Sequence, residues 1–147
     1  MKELIAQSGF SSELVKVFSL LVLGFASWQT QAQESKHQFL LFWRSDCGHC
    51  AAAIREVVAK TANLNQDRFT LTTISFDTDS ILYFNAIRQN RMEGFVNQYN
   101  FKQGYVDNPL AKKYGVTHTP ILLYIDERGN VLAEMQEAYK KLLSLKE

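Results

Sequence analysis

Residues 37–50 read HQFLLFWRSDCGHC, and most of the architecture follows from them. The first half, His37 to Trp43, is a short apolar run rich in aromatics. Polar residues bound it on both sides, Gln33-Glu34-Ser35-Lys36 before and Arg44-Ser45-Asp46 after. Such a run predicts a strand buried on both faces. From Cys47 the pattern turns helical. Ile54, Val57, Val58, Thr61 and Leu64 follow i, i+3, i+4, i+7 spacing, and Ala51-Ala52-Ala53 favours helix. Ser45 or Asp46 is placed to cap this helix, and for Asp46 the cap is a better reading than a substitute base. Asn63 to Asp67 reads as its exit turn. Both cysteines of the chain lie at the strand-to-helix junction, in Cys47-Gly48-His49-Cys50.

Downstream, Phe69 to Phe76 (FTLTTISF) is β-branched and aromatic, which predicts a second strand. Asp77-Thr78-Asp79-Ser80 offers caps for a second helix, with Ile81, Phe84 and Ile87 on one face. Gly94 to Asn108 is aromatic and polar without a clear period and reads as irregular. Its Phe95, Tyr99, Phe101 and Tyr105 fit a packed flank of the core better than a substrate groove. Pro109 starts a short helix, Leu110 to Tyr114, that Gly115 ends. Pro120 to Ile125 (PILLYI) and Val131 to Met135 form a hairpin across the turn at Asp126 to Asn130. Gln136 to Leu145 closes the chain as a helix, with Leu142, Leu143 and Leu145 as apolar positions. Two strand-helix-strand crossovers imply parallel central strands, and the hairpin adds antiparallel ones. Helices then cover both faces of the sheet.

A Cys-x-x-Cys at the start of a helix has a chemical logic. The first cysteine sits where backbone N–H groups are unpaired and the helix dipole is positive. Both favour thiolate over thiol. The second lies close to one turn away, where it can close a disulfide or resolve a mixed one. Cys47 is therefore the expected exposed nucleophile and Cys50 the buried resolving thiol. An imidazolium at His49 would stabilise the Cys47 thiolate further, and Asp46 would oppose it. Half a zinc site, with His49 or His118 as conceivable partners, is the alternative, but no second Cys pair or close His pair accompanies it. A purely structural disulfide is a poorer reading, because so small a loop constrains little unfolded-chain entropy.

The chain has 147 residues, enough for one domain with a hydrophobic core and no disulfide scaffold. A hydrophobic fraction of 46% with 21% charged residues excludes disorder, and two Pro with seven Gly exclude collagen-like sequence. A net charge of +1 gives no electrostatic case for nucleic acid. Val17 to Trp28 (VFSLLVLGFASW) carries no charge, Lys2 and Lys16 precede it, and Thr30-Gln31-Ala32 supplies small residues before a cut. This is the layout of a secretory signal peptide over residues 1–32. An uncleaved anchor or a buried core helix are the other readings; the run is short of the roughly 20 residues that a spanning helix needs. Residues 33–147 form the expected folded domain. Export would let a disulfide at Cys47 and Cys50 persist.

Phe42-Trp43 followed after three residues by Cys47-Gly48-His49-Cys50 resembles the active site of thioredoxin-fold oxidoreductases. Thr119-Pro120, about seventy residues on, is similar to that family's cis-proline loop, and the turn around Gly129-Asn130 is similar too. The extra segment before Pro120 resembles the TlpA/ResA-like branch, whose members are typically exported. The resemblance implies a thioredoxin-like α/β fold: a central mixed four-stranded sheet flanked by helices, with a helical insertion before the cis-proline strand. It implies catalytic Cys47 and Cys50 with His49, and substrate contact at Thr119, Pro120 and Trp43. It also implies that the backbone of Thr119 pairs with an extended substrate. Departures stand beside it. The buried Asp of thioredoxins is replaced by Leu41, and the Glu and Pro common in the TlpA/ResA-like branch by Ala53 and Arg55. The usual Trp before the first cysteine is Asp46.

The expected function is an exported thiol-disulfide oxidoreductase needing no organic cofactor and no metal. Its partners would be substrate proteins with thiols or disulfides and a membrane redox donor or acceptor protein. Membrane contact would come only through residues 17–28, if these are retained. The expected location is periplasmic or secreted. A non-catalytic thioredoxin-like binding module and a metal-delivery protein are the alternatives. A peroxidase is disfavoured, because Ser45-Asp46 stand where the Pro and Thr of that motif would precede Cys47.

Overall fold

The computed structural model describes residues 36–99 and 107–146. β1 (His37–Trp43) lies at the centre of a five-stranded sheet. Phe39, Leu41 and Trp43 enter one hydrophobic cluster, while Leu40 and Phe42 enter the other. The run lacks polar alternation because both faces are covered. Each large side chain buried in this way contributes about 1.5–3 kcal/mol.

β2 (Phe69–Ser75) runs parallel to β1, with His37 opposite Phe69 and Trp43 opposite Ser75. The crossover between them is α1 (Gly48–Thr61), which buries Cys50, Ile54 and Val57 in the Phe39–Leu41–Trp43 cluster. Next come α2 (Ser80–Gln89) and β3 (Val96–Tyr99), the latter parallel to β2. α3 (Pro109–Tyr114) precedes β4 (Ile121–Ile125), which is antiparallel to β1. β5 (Val131–Glu134) completes the hairpin and α4 (Met135–Leu143) follows. The sheet order is β3-β2-β1-β4-β5.

The fold class is the expected one, but the sheet has five strands, not four. The extra strand, β3, falls inside the segment that reads as irregular. Val96-Asn97-Gln98-Tyr99 alternates exposed and half-buried positions at the sheet edge, so it carries no apolar signal. Asn97 secures it instead: Thr73 Oγ1 donates to Asn97 Oδ1 at 2.5 Å, and Asn97 Nδ2 donates to the carbonyls of Met92 and Phe95. Phe95 and Tyr99 pack as partly buried flanks of the core.

α2 turns a different face inward from the one its sequence suggests. Tyr83, Ala86 and Ile87 are buried, whereas Ile81 and Phe84 are 69% and 53% exposed. Tyr83 is drawn in by stacking on Trp43 and Tyr99, with ring centroids 5.9 and 4.6 Å away. Asp79 caps α2, its Oδ1 accepting the N–H groups of Ile81 and Leu82. Asn108 does the same for α3, which ends at Gly115 with φ +64°. The last helix starts one residue early, at Met135, so β5 stops at Glu134.

Residues 1–32, with their apolar run, lie outside the described residues, as do Phe101 and Tyr105. Among the described residues, no helix is long and apolar enough to cross a membrane.

Candidate active site

β1 ends at Trp43 and the chain bends through Ser45 and Asp46 into α1. Neither of the two expected residues caps this helix. Cys47 is itself the N-cap, with extended backbone, and its Sγ accepts the N–H of Cys50 at 3.1 Å. Asp46 stands one position too early and pairs with Arg44 Nη2 at 2.6 Å on the surface. The sulfur thus takes the place of the usual carboxylate or hydroxyl at the positive end of the helix.

The two thiols are free and differ sharply in setting: Cys47 is partly exposed and Cys50 fully buried. Partial burial works to raise the Cys47 pKa, but hydrogen bonds prevail. Those from the Cys50 side chain and N–H, the Thr119 side chain and the His49 N–H stabilise the thiolate and hold Cys47 below the ordinary thiol value. Burial pushes Cys50 up to about 11, helped by the hydrogen bond and the charge at Cys47. The nucleophile and the resolving thiol are therefore separated by environment.

Thr119-Pro120 closes the site from the other side. The bond between them is cis. The Thr119 carbonyl lies 3.9 Å from Cys47 Sγ, which brings together two residues 72 positions apart in the chain. His49 is exposed on the first turn of α1, and its backbone N–H is what reaches the Cys47 sulfur. Trp43 sits elsewhere than expected. It is 0% exposed and stacked on Tyr83, so it has no surface to offer a substrate. Its position as an inward-facing residue of the central strand places it in the core.

Two residues at the site have roles other than those their sequence context suggests. Asp77, only 5% exposed, accepts the backbone N–H and the hydroxyl of Ser45 and the hydroxyl of Ser75. It is not a helix cap. The parallel register that sets Trp43 opposite Ser75 also brings Ser45 and Asp77, each two residues further on, to the same sheet end. A lone carboxylate immediately after an apolar strand was the available signal. The other is Met135, whose Sδ accepts the N–H of Leu122 at 3.4 Å just beyond Pro120. Among the described residues, no three His, Cys, Asp or Glu side chains are grouped to hold a metal ion.

Comparison with known proteins places this arrangement. The thioredoxin-like domain family matches residues 26–142. No curated protein matches the chain. Among solved structures, a thiol-disulfide oxidoreductase from Bacteroides fragilis is 21% identical, with a TM-score of 0.60 over 79% of this chain and 85% of that one. A thioredoxin-like protein from Parabacteroides distasonis is 16% identical, with a TM-score of 0.62 over 76% of this chain and 82% of that one. A secreted Mycobacterium tuberculosis disulfide oxidoreductase, homologous to Escherichia coli DsbE, is 18% identical; its TM-score is 0.57 over 78% of this chain and 82% of that one. At such identities the likeness speaks for the fold. With four-fifths of its length matched by the family, the cysteine pair at the head of α1 and the cis-proline before β4, the chain belongs to the thioredoxin-like domain family.

Proposed function

We propose that the chain is an exported protein thiol-disulfide oxidoreductase that works through Cys47 and Cys50. One observation carries this reading: a partly exposed, thiolate-favouring Cys47 faces the Thr119 carbonyl, while Cys50 waits buried one turn behind it. As a reductase, the Cys47 thiolate attacks one sulfur of a substrate disulfide. A mixed disulfide forms, and the other substrate sulfur leaves as a thiolate and takes a proton. Cys50 then loses its proton and attacks Cys47 Sγ. The second substrate thiol is released and the Cys47–Cys50 disulfide forms, two electrons having passed to the substrate. Cys50 is held neutral at first by burial and by the charge on Cys47. Bonding Cys47 into the mixed disulfide removes that charge and its hydrogen bond, which favours Cys50 ionisation at the step that needs it.

The same steps run backwards make the protein an oxidant. The electron balance over a cycle requires a dithiol or disulfide partner, which an exported protein would meet at the membrane. The apolar run at residues 17–28 supports export, as secreted signal or as tether. The half-buried Thr119-Pro120 pair stands beside Cys47, where an extended substrate segment would run.

The test is redox equilibration of the protein against glutathione and dithiothreitol buffers, with trapping by Cys50→Ser. A reversible two-electron couple, and a mixed disulfide at Cys47 that accumulates only in Cys50→Ser, are expected. A pair with no reversible couple would leave a non-catalytic binding module as the reading.

A further inference from the structure

We propose that Met135 is a site of reversible oxidation to the sulfoxide. The sulfoxide oxygen takes over the Leu122 N–H, so that oxidation tightens this end of the sheet instead of loosening it. The inference does not depend on the oxidoreductase reading, since the thioether takes no part in thiol exchange.

The two methionines among the described residues differ in access. Met92 is 0% exposed and packed in the Phe39–Leu41–Trp43 cluster, whereas Met135 is 46% exposed. An oxidant reaches a thioether from solvent, so susceptibility follows exposure. The step needs a two-electron oxidant, and hydrogen peroxide suffices. A sulfur lone pair of Met135 attacks one peroxide oxygen, the S–O bond forms and the O–O bond breaks. The departing hydroxide takes the proton from the transferred oxygen. The thioether has then lost two electrons to give the sulfoxide, and the peroxide has been reduced to water.

The surroundings of the sulfur decide what the oxygen does. β5 pairs with β4 as far as Leu123 opposite Glu134, and the next residue along β4, Leu122, lies past the end of that ladder. Met135 supplies the missing acceptor, with Sδ 3.4 Å from the Leu122 nitrogen. Its backbone bends into the left-handed region that favours glycine, at φ +44°, where the chain passes from β5 into α4. The thioether is folded back over β4 at this bend.

A thioether sulfur is a weak acceptor, and here it stands where a strand would place a carbonyl. A sulfoxide oxygen carries far more negative charge and accepts strongly. The side chain is unbranched and about half in solvent, so it can back away from β4 to seat the added oxygen. At Met92 the same oxygen would enter an apolar cluster as a buried acceptor without a donor, which is the usual way methionine oxidation disrupts a fold. At Met135 the donor is already in place.

The test uses the full chain with Cys47 and Cys50 both replaced by Ala, which removes the competing thiols; the parent chain serves as the second sample. Under hydrogen peroxide, peptide mass mapping should find Met135 oxidised at least about tenfold faster than Met92, and in concentrated urea the two rates should come within about twofold. In the oxidised protein the Leu122 amide proton should move downfield in the NMR spectrum and exchange with solvent about fivefold more slowly. Methionine sulfoxide reductases for the two sulfoxide epimers should together return it to its starting position. Met135→Leu, which fills similar space without an acceptor, should speed that exchange instead. The urea midpoint should be no lower after oxidation than before. Equal oxidation of Met92 and Met135 in the folded chain would overturn the site. A Leu122 amide indifferent to both oxidation and Met135→Leu, or a midpoint that falls on oxidation, would overturn the bond between the sulfoxide and β4.

Discussion

Asp77 Oδ1 holds Ser45 twice, accepting its main-chain N–H at 2.9 Å and its hydroxyl at 2.8 Å. The other carboxylate oxygen accepts the Ser75 hydroxyl at 2.7 Å, and Ser75 Oγ in turn accepts the Asp77 N–H. A buried carboxylate therefore ties the loop two residues before the nucleophile to the end of the neighbouring strand. Asp77→Ala would leave buried donors without an acceptor, and each such loss costs about 1–3 kcal/mol. Urea unfolding of the dithiol form should show about 2–4 kcal/mol of lost stability. Asp77→Asn, which keeps one oxygen for Ser45, should lose less than half of that. Equal stability of Asp77→Ala and the parent would mean that the cluster contributes nothing to holding the loop.

The separation of the two thiols is open to direct titration. Cys47 ionises below the ordinary thiol value and Cys50 at about 11. Iodoacetamide reacts with the thiolate, so its rate at each cysteine follows the ionised fraction. Between pH 7 and pH 9, mass spectrometry should find the label on Cys47 alone, with Cys50 unmodified until the pH is much higher. The Cys47 profile should lie at lower pH than that of an unstructured cysteine peptide. Comparable labelling of both cysteines at neutral pH would contradict the burial of Cys50.

Cys50 also links stability to pH. Its folded value, about 11, stands above the ordinary thiol value of 9.0. Between these limits the unfolded chain has released the proton that the folded chain retains, so the folded state binds more protons and stability falls as pH rises. The contribution is fully present below about pH 9 and is lost progressively toward pH 11. The dithiol form should therefore lose stability across this window more steeply than Cys50→Ala does. Parallel pH curves for the two proteins would show that the Cys50 thiol ionises alike in folded and unfolded chains.

The parts of the fold that were legible in the sequence are those where burial and local chemistry agree. β1 reads correctly because both its faces are apolar, and the Cys47–Cys50 junction because strand and helix patterns meet there. Thr119-Pro120 was placed by resemblance, since nothing in a Thr-Pro pair alone distinguishes a cis from a trans bond. Tertiary partners overrode local pattern elsewhere. The face of α2 is chosen by the aromatic stack of Trp43, Tyr83 and Tyr99, which joins three separate elements. The cap of α1 passed to Cys47 because the helix begins one residue later than the acidic signal suggests. Asp77 and Met135 act through strand register and a backbone turn, neither of which the spacing of residues along the chain displays.

Two helix ends invite a paired measurement. α2 and α3 finish in the same hydrogen-bond pattern, with Met92 N–H reaching the Ile87 carbonyl and Val116 N–H reaching that of Ala111. The residue that must turn left-handed is Gly115 in α3, at φ +64°, but Arg91 in α2, at φ +56°. Glycine occupies this conformation without the Cβ clash that Arg91 carries. Arg91→Gly should stabilise the protein by about 1 kcal/mol, whereas Gly115→Ala should destabilise it by about 1–2 kcal/mol. A Cβ at Gly115 would meet no atom within 4 Å, so its cost would be purely one of backbone conformation. Thermal or urea denaturation checks both signs, and a destabilised Arg91→Gly would mean that the arginine side chain makes up for its backbone.

β3 gives the last test, because its attachment depends on one side chain more than on apolar burial. Asn97 accepts from the Thr73 hydroxyl, which is wholly buried, and donates to the carbonyls of Met92 and Phe95. Replacing it with Val puts a β-branched residue that suits a strand in its place but removes all three partners. The Thr73 hydroxyl and the two carbonyls would then lose the acceptor and donor that Asn97 supplies, at a cost of about 1–3 kcal/mol for a buried group left unsatisfied. An edge strand bonded on one side only should register that loss locally. Amide hydrogen exchange in Asn97→Val should speed up across Val96 to Tyr99 while β1 and β2 keep their protection. Uniform acceleration over the whole sheet would show instead that β3 unfolds together with the core, and unchanged exchange would show that the backbone ladder to β2 holds the strand without Asn97.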